Sequence, residues 1–284
     1  MNEELSGRPV SRRGFVCSTA AAISGFVFLP DRPESLKLAV VTPANRDRTS
    51  AHLLDGVRLG LSEAQRAASL FGRESMNLAS RDEAQVLIAS VGPEACRSIA
   101  EQCDREKKIL IDCGSRANAL RREVCSRFVF HVEASEAMYA DAQKQAPGRS
   151  VTLWTASLEK YGASQLNDRF RSAAGYPMDS LAWTGWLAVK IVWESYLRLS
   201  SSDTSMIAQR IASGEFDGHK GAQLSFRAWD HQLRQPLYSV QAADPHDLPR
   251  EIPDAAEARG TTRELLDTLG DSARETECRM ASQR

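Results

Sequence analysis

The chain has no basic stripe. Its 36 Lys and Arg stand against 37 Asp and Glu, a net charge of -1 at pH 7, so the phosphate-tracking surface that nucleic acid demands is missing and nucleic acid is not expected as a partner. Cysteine is scarce, six in 284 residues, too few for a disulfide scaffold. None lies in CxxC or in a Cys/His cluster with metal-ligand spacing, so no metal site is expected. GxGxxG and a P-loop lysine are absent, which removes dinucleotide and nucleoside triphosphate pockets. GxSxG is absent as well. His52, His131, His219, His231 and His246 are scattered singly, and no Ser/His/Asp or Cys/His spacing makes a nucleophilic site. Neither a cofactor nor catalysis is expected. What remains is soluble globular content, 42% hydrophobic and 26% charged, enough for one large domain or two smaller ones.

The N-terminus differs from the rest. Ser11-Arg12-Arg13-Gly14-Phe15-Val16 pairs two arginines ahead of an uncharged stretch, residues 17–29, which is shorter than the ~20 apolar residues of a membrane-spanning helix. Residues 1–35 read as a twin-arginine export signal and linker. That implies the periplasm as location and the twin-arginine translocase as a partner. No A-x-A site follows, so an uncleaved anchor stays open, and Cys17 begins the apolar run instead of following it, which argues against a lipoprotein. Removing Cys17 leaves five cysteines, an odd number, so at least one thiol is free. Cys96 and Cys103, seven apart on one helix, read as buried small apolar residues; Cys125 with Cys278 is a candidate staple for the end of the chain.

From residue 36 onward, strands alternate with helices. Leu36 begins a short β-branched run closed by Pro43, residues 51–71 carry Leu53, Val57, Leu61, Ala64 and Ala68 at helical spacing, and Gly72 stops them. Strand 84–91, helix 93–107 with Pro93 at its start, strand 108–113, strand 128–132 and helix 136–146 repeat the theme. This predicts an α/β fold with a parallel sheet covered on both faces, whose ligands bind beyond the carboxyl ends of the strands. The loops at 42–50, 90–94 and 113–118 are then the places for a site.

The second half reads as strand 151–154, helices 161–174 and 182–199, a turn at 216–221 and strands 224–227 and 237–240. All five tryptophans fall between Trp154 and Trp229, and at helical spacing Trp186, Val189 and Trp193 are core residues. From Pro245 the chain is polar, a surface tail with one helical segment at 262–269.

Certain segments resemble a known family. Leu54-Asp-Gly-Val-Arg-Leu-Gly-Leu-Ser-Glu-Ala64, Gly92-Pro93, Ile111-Asp-Cys-Gly-Ser115, Phe130-His-Val-Glu-Ala-Ser135, Trp186-Leu-Ala-Val-Lys190, Phe216-Asp-Gly218 and Gly221-Ala-Gln-Leu-Ser-Phe226 occur in that order. Together they resemble the type I periplasmic solute-binding proteins of ABC importers, in the branched-chain amino acid and amide branch. Ala119-Leu-Arg-Arg-Glu-Val-Cys125, Tyr161-Gly-Ala-Ser-Gln-Leu-Asn-Asp-Arg-Phe170 and Trp229-Asp-His-Gln-Leu-Arg-Gln-Pro236 look like a subgroup of binding components associated with quinoprotein alcohol oxidation. The resemblance spans roughly residues 36–240. It departs in one place: only residues 143–150 stand where the family builds further strand-helix units, each of about 30 residues, so the second lobe looks shortened.

The resemblance implies lobe one at 36–135 plus 179–215, a shortened lobe two at 136–178 plus 216–244, and a tail at 245–284. It implies a non-enzymatic protein that closes two hinged lobes on a small-molecule solute (an amino acid, amide or short carboxylate) and hands it to an ABC permease in the inner membrane. Carried over residue by residue, it points to Pro93, Glu94, Ser115 and Arg116 as ligand contacts. Arg48, Ser50 and His52 in the first loop are rim contacts, and Trp154 and Tyr161 are the remnant of the opposing wall. Glu94 stands where the family often has Ser or Ala. The alternative is a shortened sensor or accessory protein of a periplasmic alcohol-oxidation system with no transport role.

Overall fold

Short apolar strands set the layer on which everything else is placed. In the computed structural model, which describes residues 35–43, 48–72, 75–199, 201–241, 248–254 and 261–278, β1 is Lys37–Val41 and α1 is Arg48–Phe71. There follow β2 Asn77–Leu78, β3 Val86–Ala89, α2 Pro93–Glu106, β4 Ile109–Asp112, α3 Asn118–Glu123, β5 Val129–His131 and α4 Glu136–Gln145. Strands β1 to β5 form a five-stranded sheet in the order β2-β1-β3-β4-β5, with parallel pairing throughout. The α/β reading with a parallel sheet therefore holds. The export signal at 1–35 lies almost wholly outside the described residues, and none of their helices is long and apolar enough to cross a membrane.

The chain is apolar on both sheet faces because helices cover both. Leu87, Ala89, Leu110 and Val129 pack with Cys96, Ile99, Ala100 and Cys103 of α2. The alternate residues Val86, Ile88, Ile109, Ile111 and Phe130 pack with α1 and the later tryptophan-rich helix. A strand buried on both faces reads as a continuous hydrophobic run, which is what made these strands visible in the sequence. Cys96 and Cys103 are buried as expected, and burial pushes the Cys103 thiol up to about 12 and the Cys96 thiol higher still. They are inert packing residues.

The remaining elements are β6 Ser150–Thr152, a 3-10 turn at Lys160–Gly162, α5 Ala163–Ala174, α6 Ser180–Leu199, α7 Thr204–Ser213, β7 Phe216–Asp217, β8 Gln223–Phe226, β9 Leu233–Arg234, β10 Leu237–Val240, β11 Arg250–Ile252 and α8 Thr262–Leu266. They make two small antiparallel sheets, β11-β10-β6 and β7-β8-β9. Residues 216–217, expected in a turn, are thus a short strand. Trp186, Val189 and Trp193 are buried, and α6 packs more extensively on α1 than any other pair of elements meets. That packing depends on small residues. A Cβ on Gly56 would stand 1.9 Å from the Ala182 carbonyl oxygen, and one on Gly185 would stand 2.6 Å from the Leu53 carbonyl oxygen.

The segment expected as a surface tail is partly built into the fold. Strand β11 joins β10, and Leu266, Leu269 and Cys278 are buried. Asp271 takes a two-pronged ion pair from Arg122 at 2.7 and 2.8 Å, and Asp267 accepts from both Arg227 and Arg234. Two of the acids that made the sequence look solvated, Asp267 and Asp271, are spent on these pairs. Cys125 and Cys278 form a disulfide across a separation of 153 residues. In the chain-entropy view a loop of that length makes the bond worth about 2–5 kcal/mol. Cys125→Ser is expected to lower the thermal midpoint, and reductant should lower the wild type to the same value. Equal midpoints for the variant and the oxidised wild type would show that the ion pairs alone hold the segment.

Candidate functional site

The order of the main sheet reverses between β1 and β3, and a crevice beyond the carboxyl ends of the strands follows from that reversal. A cleft of about 370 Å³ lies there. One wall comes from the strand ends: Ser90 after β3, Gly114 and Arg116 after β4, and Glu133 after β5. The other comes from Thr152 and Trp154 at β6 and from Asp179, Ser180 and Leu181 at the start of α6. Gly114 is required by this approach, since a Cβ there would stand 2.2 Å from Ser90 Oγ.

Beneath the first wall lies a buried polar network. Asp112, fully buried at the end of β4, accepts from the Gly114 and Ser115 amides at 3.2 and 2.9 Å and pairs with His131 Nδ1 at 2.9 Å. Burial alone would raise its pKa, but the His131 hydrogen bond and Arg121 outweigh it and hold the carboxyl below the usual range. Burial and Arg121 push His131 the other way, down, so it is neutral. Arg121 ties the two loops of the wall together. Its Nη1 donates to the Ser115 and Ala117 carbonyls at 2.7 and 3.2 Å, its Nη2 to the Glu133 carbonyl at 2.8 Å, and its Nε to Gln232 Oε1 at 2.9 Å.

Above this network stand the groups that face the cleft. Glu133 Oε1 accepts from Arg116 Nε at 3.2 Å and from the Tyr139 hydroxyl at 2.8 Å, while the Arg116 guanidinium lies 4.1 Å over the Tyr139 ring. Burial raises the Glu133 carboxyl above its usual range, with Arg116 opposing. Across the cleft, Asp179 caps α6 by accepting from the Ala182 amide at 2.8 Å, and its other oxygen pairs with His52 Nδ1 at 2.5 Å. Ser180 Oγ bonds Thr152 Oγ1 at 3.0 Å and accepts from the Trp154 amide at 3.1 Å. The cleft therefore presents one guanidinium, two carboxyl groups and several hydroxyls. It can satisfy a small amphoteric solute without any nucleophile or metal.

Of the residues expected from the sequence, Arg116 and Trp154 line this cleft. Trp154 does so from the core, its indole donating to Asn167 at 2.9 Å and stacked on Trp183. Ser115 is next to the cleft but turned inward, and its Oγ, buried, has no hydrogen bond among the described residues. Pro93 and Glu94 form the exposed first turn of α2 and are not in the lining. Arg48, Ser50 and His52, expected in the first loop, belong to α1, which begins at Arg48. The Arg48 side chain lies outside the described residues. Ser50 is buried, and His52 stacks on Tyr176 and steadies Asp179 from behind. Tyr161 lines a different cavity, with His219 and Tyr238. The missed residues are Glu133, Thr152, Asp179 and Ser180. An Asp before an apolar helical run is an N-cap signal, and it could have found Asp179.

Asp230 and His231, next to Gln232, are both buried and are shifted in opposite directions. Burial pushes Asp230 up to about 6, against the pull of Arg227, and burial pushes His231 down to about 4. The Asp230 contribution to stability is complete below its ordinary 3.8 and is lost as pH rises through about 6; that of His231 is complete above 6.5 and is lost as pH falls through about 4. Asp230→Asn keeps an acceptor for the Gln232 amide and removes the buried charge. The variant should be more stable than wild type at pH 7.5 by up to about 3 kcal/mol, the gap closing by about pH 4. Denaturation curves at the two pH values check this, and no gain at pH 7.5 contradicts it.

No protein-family model matches the chain, and no curated protein matches it. Solved structures do. A periplasmic binding protein from Burkholderia mallei superposes with a TM-score of 0.67 at 11% identity, covering 87% of this chain and 99% of that one. The chain has the type I periplasmic-binding-protein fold. Two more structures with that fold resemble it. One is the leucine-, isoleucine-, valine-, threonine- and alanine-binding protein from Brucella ovis in its closed conformation, at TM-score 0.66 and 11% identity, covering 82% of this chain and 98% of that one. The other is an ABC transporter solute-binding protein from R. palustris in complex with benzoate, at TM-score 0.63 and 11% identity, covering 86% and 99%.

Proposed function

We propose that this chain is an exported solute-binding protein of an ABC importer. It takes a small polar organic solute, an amino acid, amide or short carboxylate, into the cleft at the strand ends and delivers it to an inner-membrane permease. The observation that carries this reading is the cleft itself: Arg116, Glu133 and Asp179 converge on one space at the carboxyl edge of a parallel sheet, in a fold whose neighbours bind amino acids or benzoate. Arg116 suits a carboxylate, Asp179 and Glu133 suit an ammonium or amide, and the hydroxyls of Ser90 and Thr152 fix orientation. Binding is non-covalent. The Arg12-Arg13 pair ahead of the apolar stretch supports export through the twin-arginine translocase to the periplasm.

A second reading, a sensor or accessory component of an alcohol-oxidation system, is favoured by the small second wall, made of β6, its loop and the first turn of α6. The described residues all lie in one unit, Pro33–Arg284, by their contacts. Uptake of labelled solute by cells with and without the gene separates the two readings.

Thermal-shift screening of the protein against amino acids, amides, short carboxylates and alcohol-oxidation products tests the binding step. A solute at 100-fold its Kd stabilises by about 2.7 kcal/mol, a rise of roughly 5–10 °C for a chain of this size. Asp179→Asn keeps the helix cap and removes the charge, so it should weaken the solute by roughly 10- to 100-fold. A Kd unchanged in that variant, or no midpoint rise at millimolar solute, would contradict the proposal.

A further inference from the structure

Away from the strand ends, a cavity of about 460 Å³ opens beside β10, β11 and the Lys160–Gly162 turn. Leu158, Tyr161, Tyr238, Leu248 and Pro249 give it apolar walls, and Glu251 stands among them. The antiparallel register sets Tyr238 directly opposite Glu251, so ring and carboxylate share one face of the sheet. Glu251 is half-buried, and among the described residues no hydrogen bond or ion pair reaches its carboxylate. Burial, and then Asp254, hold that carboxyl above the usual range, with Lys220 and Lys160 opposing. With Lys220 and Lys160 near but outside ion-pair distance, a half-buried acid in this wall is costly to leave without a contacting partner.

Two further observations mark the cavity. Tyr161 and His219 both hold left-handed backbone, with φ of 57° and 58°, and are joined by a hydrogen bond between His219 Nδ1 and the Tyr161 carbonyl at 3.1 Å. Strain at non-glycine residues persists where the surroundings over-determine it, and it concentrates at ligand clamps. Leu248 and Tyr161 are also 71% and 60% exposed at the cavity, large apolar side chains left in water.

We propose that this cavity is a second binding site, for an organic ammonium ion with an aryl-sized apolar body: the ammonium on Glu251, the body against Tyr161, Tyr238 and Leu248. The tyrosine rings add cation–π attraction for the ammonium. The lining also holds Glu159 and Asp254 beside Lys160 and Arg250; with Glu251 its three acids exceed its two bases by one, the charge that a monocation balances. The site is separate from the strand-end cleft, and its occupant need not be the transported solute.

The test is isothermal titration of the protein with 2-phenylethylamine at pH 7.5. Saturable binding is expected for wild type and for Asp179→Asn alike. It should weaken roughly tenfold or more in Glu251→Gln, as expected for loss of a charged partner, and severalfold in Leu248→Ser. 3-Phenylpropionate, of similar size and opposite charge, should not bind. Glu251 is on the edge strand β11, and thermal midpoints of both variants, within a few degrees of wild type, exclude misfolding. Absence of saturable binding up to about 10 mM overturns the proposal, as does equal affinity in Glu251→Gln. Binding lost in Asp179→Asn and kept in Glu251→Gln also overturns it, because the amine then sits in the cleft. The cleft reading can fail while this site stands, and the reverse.

Discussion

Arg121→Leu is expected to cost about 3–5 kcal/mol, the loss typical of breaking a buried charge pair by removing one partner, and to abolish solute binding. The side chain is 2% exposed, and its three nitrogens serve three carbonyls and the Gln232 amide. Its Nη1 also lies 3.7 Å from the fully buried Asp112 carboxylate. Without it Asp112 keeps only His131 and two loop amides, and the Ser115 carbonyl loses the donor that Arg121 gives it, while the Ala117 carbonyl keeps the Leu120 amide and the Glu133 carbonyl keeps the Gln232 side-chain amide. The loops that carry Arg116 and Glu133 then keep the Glu136 amide on the Arg116 carbonyl and the Arg116–Glu133 pair, but lose the buried tie beneath the cleft. Arg121→Lys restores the charge but not the fork of donors, so it should recover less than half of the loss. Chemical denaturation measures both variants. A loss under about 1 kcal/mol for Arg121→Leu would mean that water replaces the guanidinium and the network is not structural.

Gly56→Ala is expected to destabilise by about 2–3 kcal/mol, although alanine is the better helix former by about 1 kcal/mol. The sign is decided by position. The new methyl would stand 1.9 Å from the Ala182 carbonyl oxygen and 2.8 Å from its carbon, backbone atoms that cannot rotate aside, so α1 and α6 must separate. A neutral or stabilising result by denaturant titration would show that the two helices do not approach this closely. Because α6 begins at Ser180 beside Asp179, the shift should also displace the second wall of the cleft.

The sheet and its helices were legible because β3, β4 and β5 are short apolar runs buried on both faces, and because α1, α2 and α6 repeat their apolar residues at helical spacing. The small sheet β11-β10-β6 was not foreseen as a unit. Its strands have three or four residues each, and they come together from positions near 150, 238 and 251, a pairing that local pattern does not encode. The site was half legible for a similar reason. Strand ends locate Arg116, but whether a loop side chain turns out or in depends on what lies beneath it. Ser115 turns in because its amide is held by Asp112 and its carbonyl by Arg121. Glu133 and Asp179 belong to the cleft through contacts that local pattern does not show: Glu133 with Arg116 and Tyr139 across a turn of the chain, and Asp179 with His52, 127 residues away. The tail misled because two of its acids, Asp267 and Asp271, which suggest solvent, are paired with Arg122, Arg227 and Arg234.

The central claim is that a solute rests between the strand ends and the start of α6. A crystal structure of the protein soaked with the compound that most raises its thermal midpoint tests it most directly. Ligand density bounded by Ser90, Arg116, Glu133 and Asp179 is the predicted result. Density elsewhere, with that cleft holding only water at saturating ligand, would contradict it.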